Sequence, residues 1–248
     1  MTAKSRQPTA NSESLQPSPD GRIIVDLRDI KKDYYLGSLV VPVLHGVTMD
    51  VRQGEYIAIM GPSGSGKSTL MHIIGLLDVP TSGTYFLDGL RVDSVSDNLL
   101  SRLRNRKIGF VFQAHNLLMQ LTALKNVELP LTYGGHPVRR RREWAAEALA
   151  RVGLADRLIH RPTELSGGQA LRVAVARALV TRPELILADE PTGNLDSRSE
   201  AQILDLLDEI HRAGNTLIIV THSRSVAERA QRILHILDGL IAREEVLR

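Results

Sequence analysis

Residues 61–68 read Gly-Pro-Ser-Gly-Ser-Gly-Lys-Ser, the pattern G-x-x-x-x-G-K-[ST] of a phosphate-binding loop. Such a loop requires a buried strand before it and a helix after it. Residues 56–60 are a short apolar run, and 68–77 have the apolar spacing of a packed helix. Glycines let the backbone wrap close to a polyphosphate, because no side chain intervenes. Successive N–H groups then face one anion-sized hollow, and the helix adds its positive dipole end. Gly61, Pro62, Ser63, Gly64, Ser65, Gly66, Lys67, Ser68 and Thr69 are therefore candidate nucleotide contacts. Lys67 suits the β- and γ-phosphates, and the Ser68 hydroxyl suits Mg2+. At average residue frequencies the pattern arises by chance in roughly 1% of chains this long, so a bare glycine loop is a poor rival reading.

Further candidates sit at strand ends. The run 185–188 closes on Asp189-Glu190. It reads as a buried parallel strand delivering acids to the carboxyl edge of a sheet, where open α/β folds bind ligands. Asp189 suits Mg2+ through its water shell, and Glu190 suits accepting a proton from an attacking water. The strand over 107–112 ends at Gln113, an amide able to bind Mg2+ or a water. The strand over 216–221 ends at His222, placed for a γ-phosphate. Residues 164–169, Glu-Leu-Ser-Gly-Gly-Gln, open a helix over 170–180. Ser166, Gly167, Gly168 and Gln169 thus form a second anion-binding helix start.

The rest of the chain supports these stations. Residues 1–21 are rich in Ser, Pro, Thr and Gln and read as a disordered tail. Residues 22–51 read as antiparallel strands with one wet face. Within them, Tyr34 and Tyr35 suit either stacking on a base or packing on a sheet edge. A strand over 84–87 runs into a turn at Asp88-Gly89, and 97–106 is a short polar helix. From 117 to 155 helical spacing takes over, with helices over 123–129 and 138–152, as in an insertion. Arg139, Arg140, Arg141 and Arg142 read as solvated first helical turns, with anionic lipid headgroups the sharper alternative. Residues 193–197 form a turn, a helix follows to about 213, and 233–246 read as a closing hairpin.

The 248 residues are 43% apolar and 24% charged, as in soluble globular proteins. No run of about 18 apolar residues suggests a membrane span, and the N-terminus has no secretory pattern. The chain has no cysteine, which excludes disulfides. A net charge of +3 with dispersed basic residues argues against a nucleic-acid partner.

Two anion-binding helix starts share a single set of Mg2+ and water-activating groups. One economical arrangement is two copies head to tail, the second helix start of each facing the γ-phosphate of a nucleotide held by the other copy.

Together, Gly-Pro-Ser-Gly-Ser-Gly-Lys-Ser-Thr, Gln113, Leu-Ser-Gly-Gly-Gln, Leu-Ile-Leu-Ala-Asp-Glu, Asn-Leu-Asp-Ser and His222 resemble the ATP-binding cassette of ABC transporters. They match its Walker A loop, Q-loop, signature, Walker B strand, D-loop and switch histidine. The resemblance covers about 22–248. Flanking stretches such as Ala-Asp-Glu-Pro-Thr-Gly-Asn-Leu-Asp-Ser are similar to those of lipoprotein-releasing, macrolide-export and cell-division ATPases. The resemblance implies an α/β P-loop NTPase cassette: a mostly parallel core sheet, an antiparallel β subdomain, and a helical subdomain inserted at about 114–166. It implies ATP and Mg2+ as cofactors, hydrolysis of ATP to ADP and phosphate, and a dimer around two ATP. It gives Tyr34 the adenine-stacking place, with Tyr35 second. It also implies separate membrane permease subunits, in export systems with a periplasmic adaptor, whose coupling helix docks near 114–124. The cassette would then sit on the cytoplasmic face of the membrane and drive export, lipoprotein extraction or mechanotransmission. The alternative is a regulatory ATPase that controls a permease-like envelope complex and transports nothing. Ala170 and Leu171 stand where the family often has polar residues, and Ser223 stands where it has aspartate.

Overall fold

The computed structural model describes residues 21–113, 115–193 and 195–247. Gly21 apart, the expected N-terminal tail lies outside the described residues. The elements run β1 (Ile23–Leu36), β2 (Leu39–Arg52), β3 (Tyr56–Met60), α1 (Lys67–Ile74), β4 (Ser82–Leu87), β5 (Leu90–Arg91), α2 (Asp97–Lys107) and β6 (Ile108–Phe112). Then come α3 (Ala123–Tyr133), α4 (Val138–Arg151), α5 (Gly167–Leu179), β7 (Leu185–Asp189), α6 (Ser197–Arg212), β8 (Thr216–Val220), α7 (Arg224–Ala227), β9 (Arg232–Leu237) and β10 (Leu240–Val246).

Two sheets result. One is antiparallel, in the order β2-β1-β4-β5; the other has the order β10-β9-β3-β8-β7-β6. In the second, β9, β3, β8, β7 and β6 run parallel, and β10 closes the edge antiparallel to β9. Its central strands β3, β8 and β7 are apolar but for Thr216 and Asp189 at their ends, because both faces are covered. Ile57 and Ile59 of β3 join Ile24, Leu27 and Leu44 of the antiparallel sheet and Leu70 and Ile73 of α1 in one core. Tyr56 and Ala58 face the opposite way, with Val127 of α3, Val173 of α5 and Leu207 of α6. Period-two side-chain alternation thus splits each central strand between two cores. This is an α/β cassette with an antiparallel sheet on one side and helices on the other.

Several element bounds differ from expectation, and three of them have a local physical cause. The helix expected to reach 77 stops at Ile74, because Leu76 takes a left-handed φ of 55°. The helix expected to end at 129 runs through Pro130 to Tyr133. There Asn105 Nδ2 and the Gly134 N–H both donate to the Pro130 carbonyl at 2.9 Å, and Leu131 is buried. Packing overrides the proline's missing donor. The helix expected from 170 begins at Gly167, since reciprocal bonds between Ser166 and Gln169 draw both glycines into its first turn.

Candidate functional site

The core sheet sets the site by register. Phe112 pairs with Asp189, Asp189 with Val220, and Val220 with Ile59. The residues that leave these strands therefore emerge at one carboxyl edge, where the polypeptide turns toward helices.

The glycine loop joins β3 to α1 at that edge. Gly64 and Gly66 have φ of 80° and 102°, and Gly66 is the N-cap of α1. Gly61 has no room for a side chain: a Cβ would overlap the Ile236 carbonyl oxygen of β9. The loop is tied to the β9–β10 turn, where the Gly239 N–H donates to the Ser65 carbonyl at 3.0 Å. Lys67 folds back over its own loop, donating to the carbonyls of Gly61 and Pro62, each at 2.8 Å. Ser65 is buried, and its hydroxyl has no partner among the described residues.

A cleft of about 670 Å³ opens over this loop. It is lined by Ser63, Gly64, Gly66, Lys67, Ser68, Thr69, Asp189, Glu190 and His222, together with Val43 and Val220. Nine residues singled out from sequence therefore share one hollow. Val43 was not among them; it is an ordinary apolar residue of β2, without a local signal.

Glu190 follows β7 in a left-handed conformation, φ 43°. Its N–H donates to the Val220 carbonyl at 2.9 Å, which holds the turn against β8. His222 Nδ1 lies 2.7 Å from Glu190 Oε1, and the Thr221 hydroxyl donates to Oε2 at 3.4 Å. The Glu190 side chain is only 18% exposed and that of His222 is 73% exposed, so the pair has one sheltered and one open member. Burial holds the Asp189 carboxyl above the usual carboxylate range, and the adjacent Glu190 charge adds to this; His72 and Lys67 pull the other way.

The donor set fits Mg2+. A cation would relieve the strained ionisation of Asp189. Among the described residues no three His, Asp or Glu side chains converge on a metal cage. A hydroxyl at Ser68, one carboxylate and phosphate oxygens match an ion that retains waters and binds one or two carboxylates plus substrate phosphates.

Other expected residues lie elsewhere. Gln113 is exposed and does not line the cleft; its Nε2 rests against Gly193, where a Cβ would come within 3.0 Å. Ser166, Gly167, Gly168 and Gln169 are also outside the cleft. Ser166 caps α5: its hydroxyl accepts from the Gln169 N–H at 3.3 Å, and its own N–H donates to Gln169 Oε1 at 3.0 Å. Gly167 and Gly168 face Leu195 and Ser199, beside Asp196, the N-cap of α6. Tyr34 is half-buried, with its hydroxyl donating to Asp78 at 2.9 Å and Lys32 Nζ 4.9 Å from its ring centre. Burial, then the Asp78 bond, raise its pKa, while the Thr69 hydroxyl of α1 opposes them; Tyr34 does not line the cleft. Tyr35 is 65% exposed.

A larger groove of about 800 Å³ lies among α2, β6, α3 and α5. Phe110 and Phe112 stack in it at 5.3 Å, and Arg102, Arg106 and Tyr133 line it. Of the described residues in 115–124, Asn116 lines it.

A protein-family model described as ABC transporter matches residues 44–193. The chain is 52% identical over 221 residues to the macrolide export ATP-binding/permease protein MacB of Brucella melitensis, covering 89% of this chain and 34% of that protein. It is likewise 52% identical over 218 residues to the uncharacterized ABC transporter ATP-binding protein YknY of Bacillus subtilis, covering 88% of this chain and 95% of that protein. The chain thus spans about a third of the fused relative and nearly all of the stand-alone one. Among solved structures, the dimeric post-hydrolysis state of the ATP-binding cassette MJ0796 bound to ADP and Pi superposes with a TM-score of 0.83. It is 44% identical, and the match covers 90% of this chain and 99% of that one.

Proposed function

This chain belongs to the ABC transporter family, whose ATP-binding cassettes hydrolyse ATP, and on that premise we propose that it dimerises around two ATP to drive a membrane permease. The observation that carries this reading is the hydrogen-bonded Glu190–His222 pair, set in the same cleft as Lys67 and Asp189. The backbone amides of 61–68 and the Lys67 ammonium hold the triphosphate. Tyr34 stacks on the adenine. Bound Mg2+, held by Ser68, Asp189 and Gln113, would neutralise charge on the β- and γ-phosphates.

Glu190 accepts the proton of the water that attacks the γ-phosphorus, and ADP leaves. His222 fixes the Glu190 carboxylate through Nδ1 and turns its other ring nitrogen toward the γ-phosphate. Ser166, Gly167, Gly168 and Gln169 complete the site in the other copy. Their position outside their own chain's cleft supports this, as does the dimeric state of the cassette MJ0796.

A membrane permease docks in the groove over Phe110 and Phe112. The name MacB joins ATP-binding and permease functions in one relative, and the match to YknY spans nearly all of a stand-alone cassette. No helix among the described residues is long and apolar enough to cross a membrane. In this reading the cassette sits beside its permease at the cytoplasmic face, moving a cargo or transmitting force. Sedimentation equilibrium of Glu190→Gln with ATP and Mg2+ tests the dimer: a concentration-dependent dimer is expected, and monomer at every concentration would rule it out.

A further inference from the structure

The Arg177 side chain joins the signature helix to residues 115 and 116, which follow Gln113 in the chain. Arg177 lies in the last turn of α5, the helix that Ser166 caps. Its Nη1 donates to the Asn116 carbonyl at 2.6 Å and its Nη2 to the His115 carbonyl at 2.8 Å. Those two residues are consecutive and both left-handed, with φ of 59° and 46°. Side chains with a Cβ adopt that conformation in sequence only where the surroundings hold it. Arg177 is half-buried and makes no ion pair among the described residues. Burial lowers its pKa. A guanidinium spent on two carbonyls is an unusual use of a charge, since arginines in partly buried sites commonly meet carboxylates. Packing of α5 does not require it: Leu171, Val173, Val175 and Ala178 are buried along that helix.

We propose that Arg177 is a positioning residue for Gln113: by clamping the 115–116 turn to α5, it makes the Gln113 turn and the signature helix move as one body. When a second copy closes on the nucleotide and shifts α5, the same guanidinium carries Gln113 from Gly193 toward the cleft. The inference rests on the ATPase reading above and deepens it.

The test is a double-mutant cycle on turnover. Steady-state ATPase is measured for the unaltered protein, Arg177→Ala, Gln113→Ala and the double variant, with binding of a fluorescent ATP analogue measured alongside. Arg177→Ala should lose at least tenfold in kcat while analogue affinity stays within about twofold, because the glycine loop is untouched. The double variant should be no slower than the slower single variant. Arg177→Lys, which keeps the charge and donors on a less rigid head, should recover part of kcat; it replaces the alanine variant in the cycle should that one fail to fold. Losses that multiply in the double variant, or full kcat in Arg177→Ala, would overturn the proposal while leaving the ATPase reading standing. Absence of turnover in the unaltered protein would overturn both.

Discussion

His222 Nδ1 stands 2.7 Å from Glu190 Oε1, and the two residues leave neighbouring parallel strands at the same edge. The contact orients a carboxylate whose residue is itself held in a left-handed turn. Glu190→Gln keeps the shape and a hydrogen-bonding partner for His222 but cannot take a proton. Turnover should fall about 10²–10⁴-fold with little change in ATP affinity. Steady-state phosphate release and equilibrium nucleotide binding check the two halves separately, and near-normal release would remove Glu190 from the base role.

Asp189 gives a pH signature in the nucleotide-free protein. Its carboxyl is held above the usual range by burial first and by Glu190 second. The folded state therefore binds this proton more tightly than the unfolded chain does. The stability contributed by the protonated form is complete below the unfolded value near 3.8 and disappears as pH rises through the elevated folded value. Asp189→Asn should therefore gain thermal stability relative to the unaltered protein as pH rises through that window, on top of the rise that Asp78, Asp88, Asp93 and Glu245, all held below their usual range, give both proteins. Equal slopes for the two proteins would locate the effect elsewhere.

Gly61→Ala should disable the loop without touching a charged group. The added methyl would overlap the Ile236 carbonyl, a backbone atom of β9 that has no freedom to turn aside. Overpacking of this kind costs about 1–3 kcal/mol, and relief requires the loop to lift off the sheet. ATP affinity should drop at least tenfold, measured by titration calorimetry, with the Tm lowered by a few degrees.

Much of this site is local in sequence, which is why it was readable. The glycine loop, the strand-ending Asp189-Glu190 and the Ser166 cap each declare themselves within a few residues. Nonlocal relations were not readable. Residues 28–36 look polar, yet they extend β1, where Lys32 is buried because Asp78 accepts from its ammonium at 2.6 Å. The parallel pairing of β9 with β3 is set by tertiary register, not by any turn signal. Gln113 could be seen to end a strand, but its rest against Gly193 depends on a loop eighty positions away. Arg177 looks like any arginine on an amphipathic helix until the 115–116 turn is placed beneath it.

Asn126 offers a test of how the segment after Gln113 is held. It is fully buried, and its Oδ1 accepts from the Leu118 N–H at 2.8 Å. Its Nδ2 faces the carbonyls of Leu118, Leu121 and Thr122 at 3.1–3.2 Å. Asn126→Ala would strand these backbone groups, at about 1–3 kcal/mol for a buried donor left unmade. A loss of about 3 kcal/mol in urea unfolding is expected. The exposed Leu118 and Met119 carried by that loop should become more accessible to limited proteolysis; an unchanged midpoint would mean that water replaces the amide at no cost.

Ser166 separates two roles that share one atom. As the N-cap of α5, its hydroxyl serves its own helix; as the start of the signature, the same surface faces the other copy's nucleotide in the proposed dimer. Ser166→Ala removes the cap, which costs about 1 kcal/mol, but leaves the surface flat. Ser166→Arg removes the cap equally and also sets a long cation where the second copy must approach. If the signature meets a partner's nucleotide, the two variants should lose similar stability and bind ATP as monomers equally well. The arginine variant alone should lose the ATP-dependent dimer and the cooperative dependence of turnover on protein concentration. Analytical ultracentrifugation in the Glu190→Gln background distinguishes them, because hydrolysis no longer disperses the dimer. Equal dimerisation of both would place the signature away from the interface, and the shared site would have to be abandoned.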